Sequence, residues 1–306
     1  MIFSYKDGEL CGCKSLIEAA DLKALVVSVV GAGGKTTILH RLEEEFVRRN
    51  RRVIFMTTTR IMKEGTPYFL EDASEDEIRD GLKKFGRVWI GSHDPISGKT
   101  APPAQEILAE VLRWKLPILI EADGAKRMPL KVPAEHEPVI LEQTGHVLSV
   151  YGLDAIGSTL ESSCFRVEKA EQILQKNRKE RITAYDIAAL ALSDKAGRKG
   201  CPSPPSAAAD RSPLKSPTGA FIAAQTRAAP NAFSPEGPKP ADAVKSLLLL
   251  AFTAPCVKKQ NRNDRSRSNS AKIKINFPLN MARACGGHFK SSNCTLNRRY
   301  PRHAAH

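Results

Sequence analysis

A glycine run followed by lysine and threonine is the segment of this sequence best suited to binding phosphate. Residues 31–37 read Gly-Ala-Gly-Gly-Lys-Thr-Thr and follow an apolar, valine-rich segment at 25–30. Glycines between a strand and a helix let backbone N–H groups surround a phosphate, and the positive end of the helix adds to the attraction. We expect Lys35 to reach the β- and γ-phosphates of a nucleotide and Thr36 to place its hydroxyl on Mg²⁺. The candidate phosphate-binding residues are Gly31, Ala32, Gly33, Gly34, Lys35, Thr36 and Thr37.

This run departs from the common P-loop pattern. The pattern GxxxxGK[ST] has its first glycine five positions before the second, where this sequence has Val29. A glycine-rich turn with a chance Lys-Thr pair is the alternative interpretation. The apolar segment before the run and the helical pattern after it favour the P-loop.

Two acidic residues follow another short apolar segment. Residues 118–120 are Ile-Leu-Ile, and Glu121 and Asp123 come directly afterwards. One carboxylate at the end of a strand can hold Mg²⁺, while the other orients a nucleophile, and the sequence leaves open which does which. A solvated strand end is the alternative. Together with the glycine run, the pattern predicts Lys35, Glu121 and Asp123 as catalytic residues, with Asp123 also on the metal.

A threonine triplet, residues 57–59, ends a further predicted strand and is followed by Arg60. Adjacent hydroxyls at the carboxyl edge of a sheet can bind Mg²⁺ or the γ-phosphate, and Thr58 is our candidate metal ligand here. Arg60 would contact charge that develops in the transition state. Threonine also favours strands for reasons unrelated to function, so a plain strand end is the alternative.

The polar segment at 125–138 would emerge from the same edge as the acids. Long loops over such an edge are usually functional. We expect Lys126, Arg127, His136 and Glu137 to meet a second substrate or a client protein. His136 stands between two glutamates, where it could relay protons or bind a metal, although an exposed histidine more often does neither.

Alternating strands and helices would position all of these residues. Apolar runs predict strands at 25–30, 53–56, 88–90, 118–120 and 147–150, and helical spacing predicts helices at 35–50, 75–85 and 104–114. This alternation indicates βαβ units and an α/β fold with a doubly wound, mainly parallel sheet of P-loop NTPase type. The carboxyl ends of the strands, where the motifs stand, are where ligands bind in such sheets.

The charge and proline content divide the chain near residue 202. Residues 1–200 carry a net charge of +1, whereas residues 201–306 carry +13 and hold 12 of the 20 prolines. Closely spaced prolines cannot continue a helix, and the tail has too little apolar periodicity to offset its ordering entropy. We therefore predict a nucleotide-binding domain at 1–202 and a basic, disordered, low-complexity tail at 203–306.

Several protein classes are excluded or disfavoured. No apolar run reaches the ~20 residues of a membrane-spanning helix, and the N-terminus lacks the order of a signal peptide. Seven cysteines without a repeated CxxC spacing indicate neither a disulfide scaffold nor a zinc ribbon. The tail is basic, but its few aromatics and lack of an RNA-binding motif argue against a nucleic-acid partner. We expect a cytoplasmic protein with no membrane partner.

Taken in order, the motifs resemble the YqeC family over about residues 15–202. The resemblance rests on residues 31–37, 57–59, 121–126, 133–140 and 152–157. It implies a P-loop nucleotide-binding protein that serves selenium cofactor biosynthesis or the maturation of a selenium-dependent molybdenum hydroxylase. Residues 203–306 do not resemble the family. We interpret the abrupt change there as a shift of reading frame that truncates the domain, and a natural tail that binds a polyanion is the alternative.

The favoured function is Mg²⁺-dependent binding and hydrolysis of ATP or GTP, and the base stays open. The glycine run is also similar to the loop of Mur-type ligases, which activate carboxylates with ATP. An ATP-dependent ligase or kinase acting on a small substrate, or a nucleotide switch that does not hydrolyse, are therefore the alternatives.

Overall fold

The computed structural model describes residues 2–6, 9–63 and 65–201, and the backbone of two later strands. The strands are β1 (Ile2–Lys6), β2 (Glu9–Cys13), β3 (Val26–Gly31), β4 (Val53–Thr57), β5 (Phe69–Glu71), β6 (Arg87–Asp94), β7 (Lys99–Ala101), β8 (Ile118–Glu121), β9 (Leu130–Lys131), β10 (His146–Val150), β11 (Cys164–Phe165), β12 (Ala220–Thr226) and β13 (Lys245–Ala251). The helices are α1 (Leu16–Ala19), α2 (Lys35–Arg48), α3 (Glu75–Phe85), α4 (Gln105–Arg113), α5 (Leu160–Ser163), α6 (Val167–Leu174) and α7 (Ala184–Leu192).

A mainly parallel sheet of seven strands forms the centre of the fold. Its strand order is β10-β3-β8-β4-β6-β5, and all of these neighbours pair in parallel. The seventh strand, β7, pairs antiparallel with β6. The α/β fold and the parallel sheet are therefore confirmed.

After β3 the chain forms α2 and then returns to the sheet as β4. In the sheet, β8 lies between β3 and β4. The strand that carries the glycine run and the strand that carries the acids are consequently neighbours. In parallel sheets the carboxyl ends of the strands share one edge, and this edge is where ligands bind.

Alternate residues of the buried strands pack on opposite faces of the sheet. On one face, Val27 and Val29 of β3 join a core with Leu39 and Phe46 of α2. On the other face, the next residues of β3 and β8 join a core with Ile78 of α3 and with α4. Both faces are covered, which explains why these strands read as nearly continuous apolar runs.

The predicted elements correspond closely to those observed. Predicted helix 75–85 has the observed bounds because Ser74 and Glu77 form a capping box at its start and Gly86 adopts a left-handed conformation at its end. The sequence analysis did not predict the strands β1, β2, β5, β7, β9 and β11 or the helices α1, α5, α6 and α7. No helix among the described residues is long and apolar enough to cross a membrane.

The prediction of a tail without regular structure is wrong for two segments. Strands β12 and β13 pair antiparallel and extend the β1–β2 hairpin into a sheet of order β13-β12-β1-β2. In this register Leu250 of β13 pairs with Phe221 of β12. The prediction for 202–219, 227–244 and 252–306 lies outside the described residues, as do residues 1, 7, 8 and 64.

Candidate functional site at the carboxyl edge of the sheet

The glycine run forms a tight connection between β3 and α2. Gly33 has φ of 72° and Gly34 has φ of 119°, in the left-handed region that favours glycine. A Cβ on Gly33 would lie 2.3 Å from the backbone nitrogen of Gly152 and 2.6 Å from the carbonyl oxygen of Pro129. The loop therefore needs glycine here because two other backbone segments pack directly against it.

Three amides of the run already donate to acceptors within the protein. Gly31 N donates to Asp123 Oδ2 at 3.1 Å, and Ala32 N donates to the carbonyl of Val150 at 2.8 Å. Gly33 N donates to the carbonyl of Met128 at 3.1 Å. In this structure these three amides are directed at protein oxygens, so their binding to phosphate stays a prediction.

The amides at the start of α2 are differently placed. The first four N–H groups of a helix have no acceptor within the helix, and no side chain caps α2 at Gly34. These groups belong to Gly34, Lys35, Thr36 and Thr37. Gly34, Thr36 and Thr37 are partly exposed. The backbone donors of these three residues and the positive end of the helix dipole are thus placed where an anion can bind.

Lys35 lies in the middle of a buried ionic cluster. Its side chain is 4% exposed, and its Nζ donates to the carbonyl of Gly31 at 2.8 Å. The same Nζ lies 3.2 Å from Asp123 Oδ1 and 3.8 Å from Glu121 Oε1. The structure therefore brings together the three residues predicted as catalytic.

Strand pairing explains this meeting. Val29 of β3 is in register with Glu121 of β8, so the chain segments that follow each residue emerge side by side. The sequence placed these motifs at strand ends, and the parallel pairing makes them neighbours.

The two carboxylates have different surroundings. Glu121 Oε2 accepts from the hydroxyl of Thr36 at 3.3 Å, and Glu121 is 8% exposed. Asp123 is 1% exposed, and its Oδ2 accepts from Gly31 N. Asp123 Oδ1 has no hydrogen-bond donor among the described residues, although the charge of Lys35 lies nearby.

The donor set fits Mg²⁺ that is shared with phosphate. Mg²⁺ prefers oxygen ligands in an octahedron and is usually bound by one or two carboxylates, waters and substrate phosphates. Thr36 Oγ1 and Glu121 Oε2 are close enough to be adjacent ligands of one ion. Among the described residues no group of three or more His, Cys, Asp or Glu side chains could hold a metal.

The threonine triplet contributes hydrogen bonds to the backbone. Thr58 Oγ1 donates to the carbonyl of Val139 at 2.7 Å, and Thr58 N donates to the carbonyl of Glu121 at 3.1 Å. Arg60 pairs with Asp94, and the hydrogen bonds from Ser97 and Arg60 lower the pKa of that carboxyl to about 2. These contacts do not bring Thr58 or Arg60 to Lys35. A metal role for Thr58 stays a prediction.

The predicted substrate segment separates into an exposed part and a buried part. Lys126, Arg127 and His136 are exposed, and Lys126 Nζ lies 4.9 Å from the centre of the Phe165 ring. Residues 130–133 are buried, contrary to the expectation of a solvated polar loop, because β9 pairs with β11. Glu137 turns inward.

Two residues that our sequence analysis did not single out complete the cluster around Glu137. Lys131 is fully buried, and its Nζ lies 3.0 Å from Glu137 Oε2 and 2.9 Å from Asp123 Oδ2. Arg166 Nη1 lies 2.8 Å from Glu137 Oε2. The feature of the sequence that could have indicated the burial of Lys131 is its position between the apolar residues Leu130 and Val132.

Glu137 is strongly stabilised in its charged form. Burial by itself raises the pKa of Glu137, but hydrogen bonds from Lys131, Ala134 N and Arg166, with the charge of Lys131, outweigh it and lower that pKa to about 2. Glu137 is thus an ionised member of the cluster at neutral pH. Its predicted contact with a second substrate or client stays a prediction.

The chain was compared with known families, curated proteins and solved structures. Residues 27–168 match the family described as YqeC protein. The chain is 34% identical over 152 residues to the "Uncharacterized protein YqeC" of Escherichia coli (strain K12), an alignment that covers 47% of this chain and 57% of the relative. The chain thus spans little more than half the length of that relative. No solved structure matches the chain significantly. The matched segment includes the glycine run, both acids and Lys131, and over this segment the chain is similar to the YqeC family.

Proposed function

We propose that this protein binds a nucleoside triphosphate with Mg²⁺ at the carboxyl edge of its sheet and hydrolyses it. One observation carries the proposal. The ammonium of Lys35, the hydroxyl of Thr36 and the carboxylates of Glu121 and Asp123 meet at the uncapped first turn of α2. Such a combination offers donors for phosphate beside oxygen ligands for a divalent cation.

Each group has a role that follows from its position. Lys35 and the amides of residues 34–37 would bind the β- and γ-phosphates, because they present positive charge and N–H donors at one point. Thr36 and Glu121 would hold Mg²⁺, which supplies positive charge to the phosphate oxygens when bound. Asp123, next to Lys35, would orient the water that attacks the γ-phosphorus. That attack breaks the bond to the β-phosphate oxygen and releases a nucleoside diphosphate and phosphate.

The biological setting is the second part of the proposal. The resemblance to the YqeC family supports a role in selenium cofactor biosynthesis or in the maturation of a selenium-dependent molybdenum hydroxylase. The partner would be that hydroxylase or its cofactor machinery. The proposal includes either ATP or GTP as the nucleotide.

The exposed cations of the segment at 125–138 favour one alternative, a ligase or kinase. Lys126 and Arg127 are exposed close to Asp123 in the chain and suit a second, anionic substrate. Product analysis separates the two functions, because a transferase makes a phosphorylated or ligated product whereas an NTPase releases phosphate.

Calorimetric titration of the full-length protein with ATP and with GTP, each with Mg²⁺, tests the proposal. We expect one nucleotide to bind to the wild type and to bind about 100-fold more weakly to Lys35→Met, because charge-assisted hydrogen bonds to phosphate are lost. The matched control is Lys83→Met on α3, where an exposed lysine pairs with Asp80. A wild type that melts cooperatively yet binds neither nucleotide would contradict the proposal.

A further inference from the structure

We propose that Lys131 is a positioning residue for Asp123, holding one oxygen of that carboxylate against the glycine run and leaving the other oxygen for the site beside Lys35. The functional meaning of this inference rests on the proposed nucleotide site. Its structural part can be tested without any nucleotide.

The first observation is how the two oxygens of Asp123 are used. Oδ2 accepts from Gly31 N at 3.1 Å and lies 2.9 Å from Lys131 Nζ. Oδ1 lies 3.2 Å from Lys35 Nζ and has no hydrogen-bond donor in the part of the chain that the structure describes. Contacts at both oxygens fix the direction of the carboxylate, with Gly31 N and Lys131 at Oδ2 and the ammonium of Lys35 at Oδ1. Oδ1 is thus the oxygen that is turned toward the proposed phosphate-binding lysine.

The second observation is the burial of Lys131. Its side chain is completely inaccessible, and its Nζ lies within ion-pair or hydrogen-bond distance of carboxylate oxygens of Asp123 and Glu137 and of the carbonyl of Gly124. An ammonium this deeply buried is costly unless it is paired and hydrogen-bonded. Lys131 cannot reach solvent or a ligand there, so it acts through its neighbours.

The third observation is that Glu137 does not need Lys131 as its sole partner. Glu137 Oε2 also receives hydrogen bonds from Arg166 and from Ala134 N. Asp123, in contrast, has Gly31 N and Lys131 as its donors, with the charge of Lys35 on its other side. Loss of Lys131 therefore affects the orientation of Asp123 more than that of Glu137.

The cluster is also balanced in charge. Three cations and three carboxylates share this buried region, namely Lys35, Lys131, Arg166, Glu121, Asp123 and Glu137. Removal of Lys131 alone leaves a buried carboxylate without compensation, whereas removal of Lys131 and the charge of Asp123 together preserves the balance. This difference provides a way to separate positioning from simple loss of folding.

The experiment compares four forms of the full-length protein, the wild type, Lys131→Met, Asp123→Asn and the double variant. Lys169→Met is the matched control, since Lys169 is partly exposed and pairs with the exposed Glu135. Amide hydrogen exchange is followed by NMR at Gly31 and at Ala32 without nucleotide. We expect faster exchange at Gly31 in both single variants, no further increase in the double variant, and little change at Ala32, whose acceptor is the carbonyl of Val150.

The kinetic arm uses MgATP and MgGTP. We expect Lys131→Met to lower kcat about tenfold or more with little change in KM, as loss of an orienting partner does, and the double variant to be no slower than Asp123→Asn. A kcat of the double variant that is reduced by the product of the two single-variant reductions would overturn the proposal, because the two residues would then act independently.

The two proposals fail in distinguishable ways. A wild type without turnover would count against the NTPase, and the exchange at Gly31 would then decide the positioning role alone. If Lys131→Met accelerates amide exchange equally at Gly31 and Ala32, the whole loop has loosened, and the inference is overturned. Unchanged exchange at Gly31 in Lys131→Met would overturn it as well. If Lys131→Met does not fold, the charge-balanced double variant is compared with Asp123→Asn instead. Exchange at Gly31 that is no faster in the double variant supports the inference. Faster exchange in the double variant contradicts it.

Discussion

The hydroxyl of Thr36 lies 3.3 Å from Oε2 of Glu121, although the two residues stand 85 positions apart in the chain. Thr36 is in the first turn of α2, and Glu121 ends the neighbouring parallel strand β8. This short separation gives the proposed Mg²⁺ site two protein oxygens and makes its metal dependence testable.

We expect Thr36→Ala to raise the Mg²⁺ concentration needed for half-maximal nucleotide binding about tenfold, because one oxygen near the ion is lost. Thr36→Ser is the control, since it keeps the hydroxyl, and it should respond as the wild type does. A titration of Mg²⁺ at fixed nucleotide concentration measures the effect. An equal increase of the half-maximal Mg²⁺ concentration in Thr36→Ala and Thr36→Ser would argue against Thr36 as a ligand of the ion.

Glu137 provides a prediction on pH and stability. Its pKa in the folded protein is about 2, below the ordinary value of 4.5, so it stabilises the fold above pH 4.5 and loses this contribution as the pH falls toward 2. We expect Glu137→Gln to lower the free energy of unfolding at pH 7 by about 2 to 3 kcal/mol. Urea unfolding at pH 7 and pH 3 should show a smaller difference from the wild type at the lower pH.

Glu135 is the matched control for this experiment. It stands two residues away and pairs with Lys169, but its side chain is 90% exposed. Glu135→Gln should change stability little at either pH, because exposed ion pairs contribute little. A loss with Glu135→Gln as large as that with Glu137→Gln would show that burial of the cluster is not the cause.

Local sequence patterns were sufficient for five of the seven strands of the sheet, all but β5 and β7, and for the first members of the site. The buried strands β3, β4 and β8 are continuous apolar runs because both faces of the sheet are covered, and α2 follows a glycine run that breaks the first of them. The meeting of Lys35 with Glu121 and Asp123 then follows from parallel pairing. These features depend on residues that are close in the chain or on a general rule of sheet architecture.

Long-range contacts account for what the sequence did not reveal. Lys131 is one of three cations in a polar segment, and its burial depends on Asp123, on Glu137 and on the two-residue pairing of β9 with β11. Likewise, β12 pairs with β1 near the start of the chain, and β13 pairs with β12. Neither periodicity nor composition reports such partners.

The hydroxyl of Thr58 allows the metal and structural interpretations of the threonine triplet to be separated. Since it donates to the carbonyl of Val139, we expect Thr58→Val to cost about 1 kcal/mol of stability and to leave the Mg²⁺ titration unchanged. Thermal unfolding and the same metal titration measure the two effects. A tenfold shift in the Mg²⁺ midpoint would instead place Thr58 among the metal ligands, as the sequence predicted.

The last prediction concerns the tight packing around Gly33. Gly33→Ala combines a left-handed backbone with a Cβ only 2.3 Å from Gly152 N, so the loop would have to move. We expect it to abolish nucleotide binding and to lower stability by more than about 3 kcal/mol, since backbone strain and overpacking add.

Gly98 separates these two causes. Its φ of 64° is similar to that of Gly33, but a Cβ at Gly98 would meet nothing within 4 Å. Gly98→Ala should therefore cost only the backbone strain of about 1 kcal/mol and leave nucleotide binding intact. Urea unfolding and calorimetric titration of both variants measure the difference. Equal losses of stability would mean that conformation alone requires glycine at position 33, and that the close approach of residues 129 and 152 adds nothing.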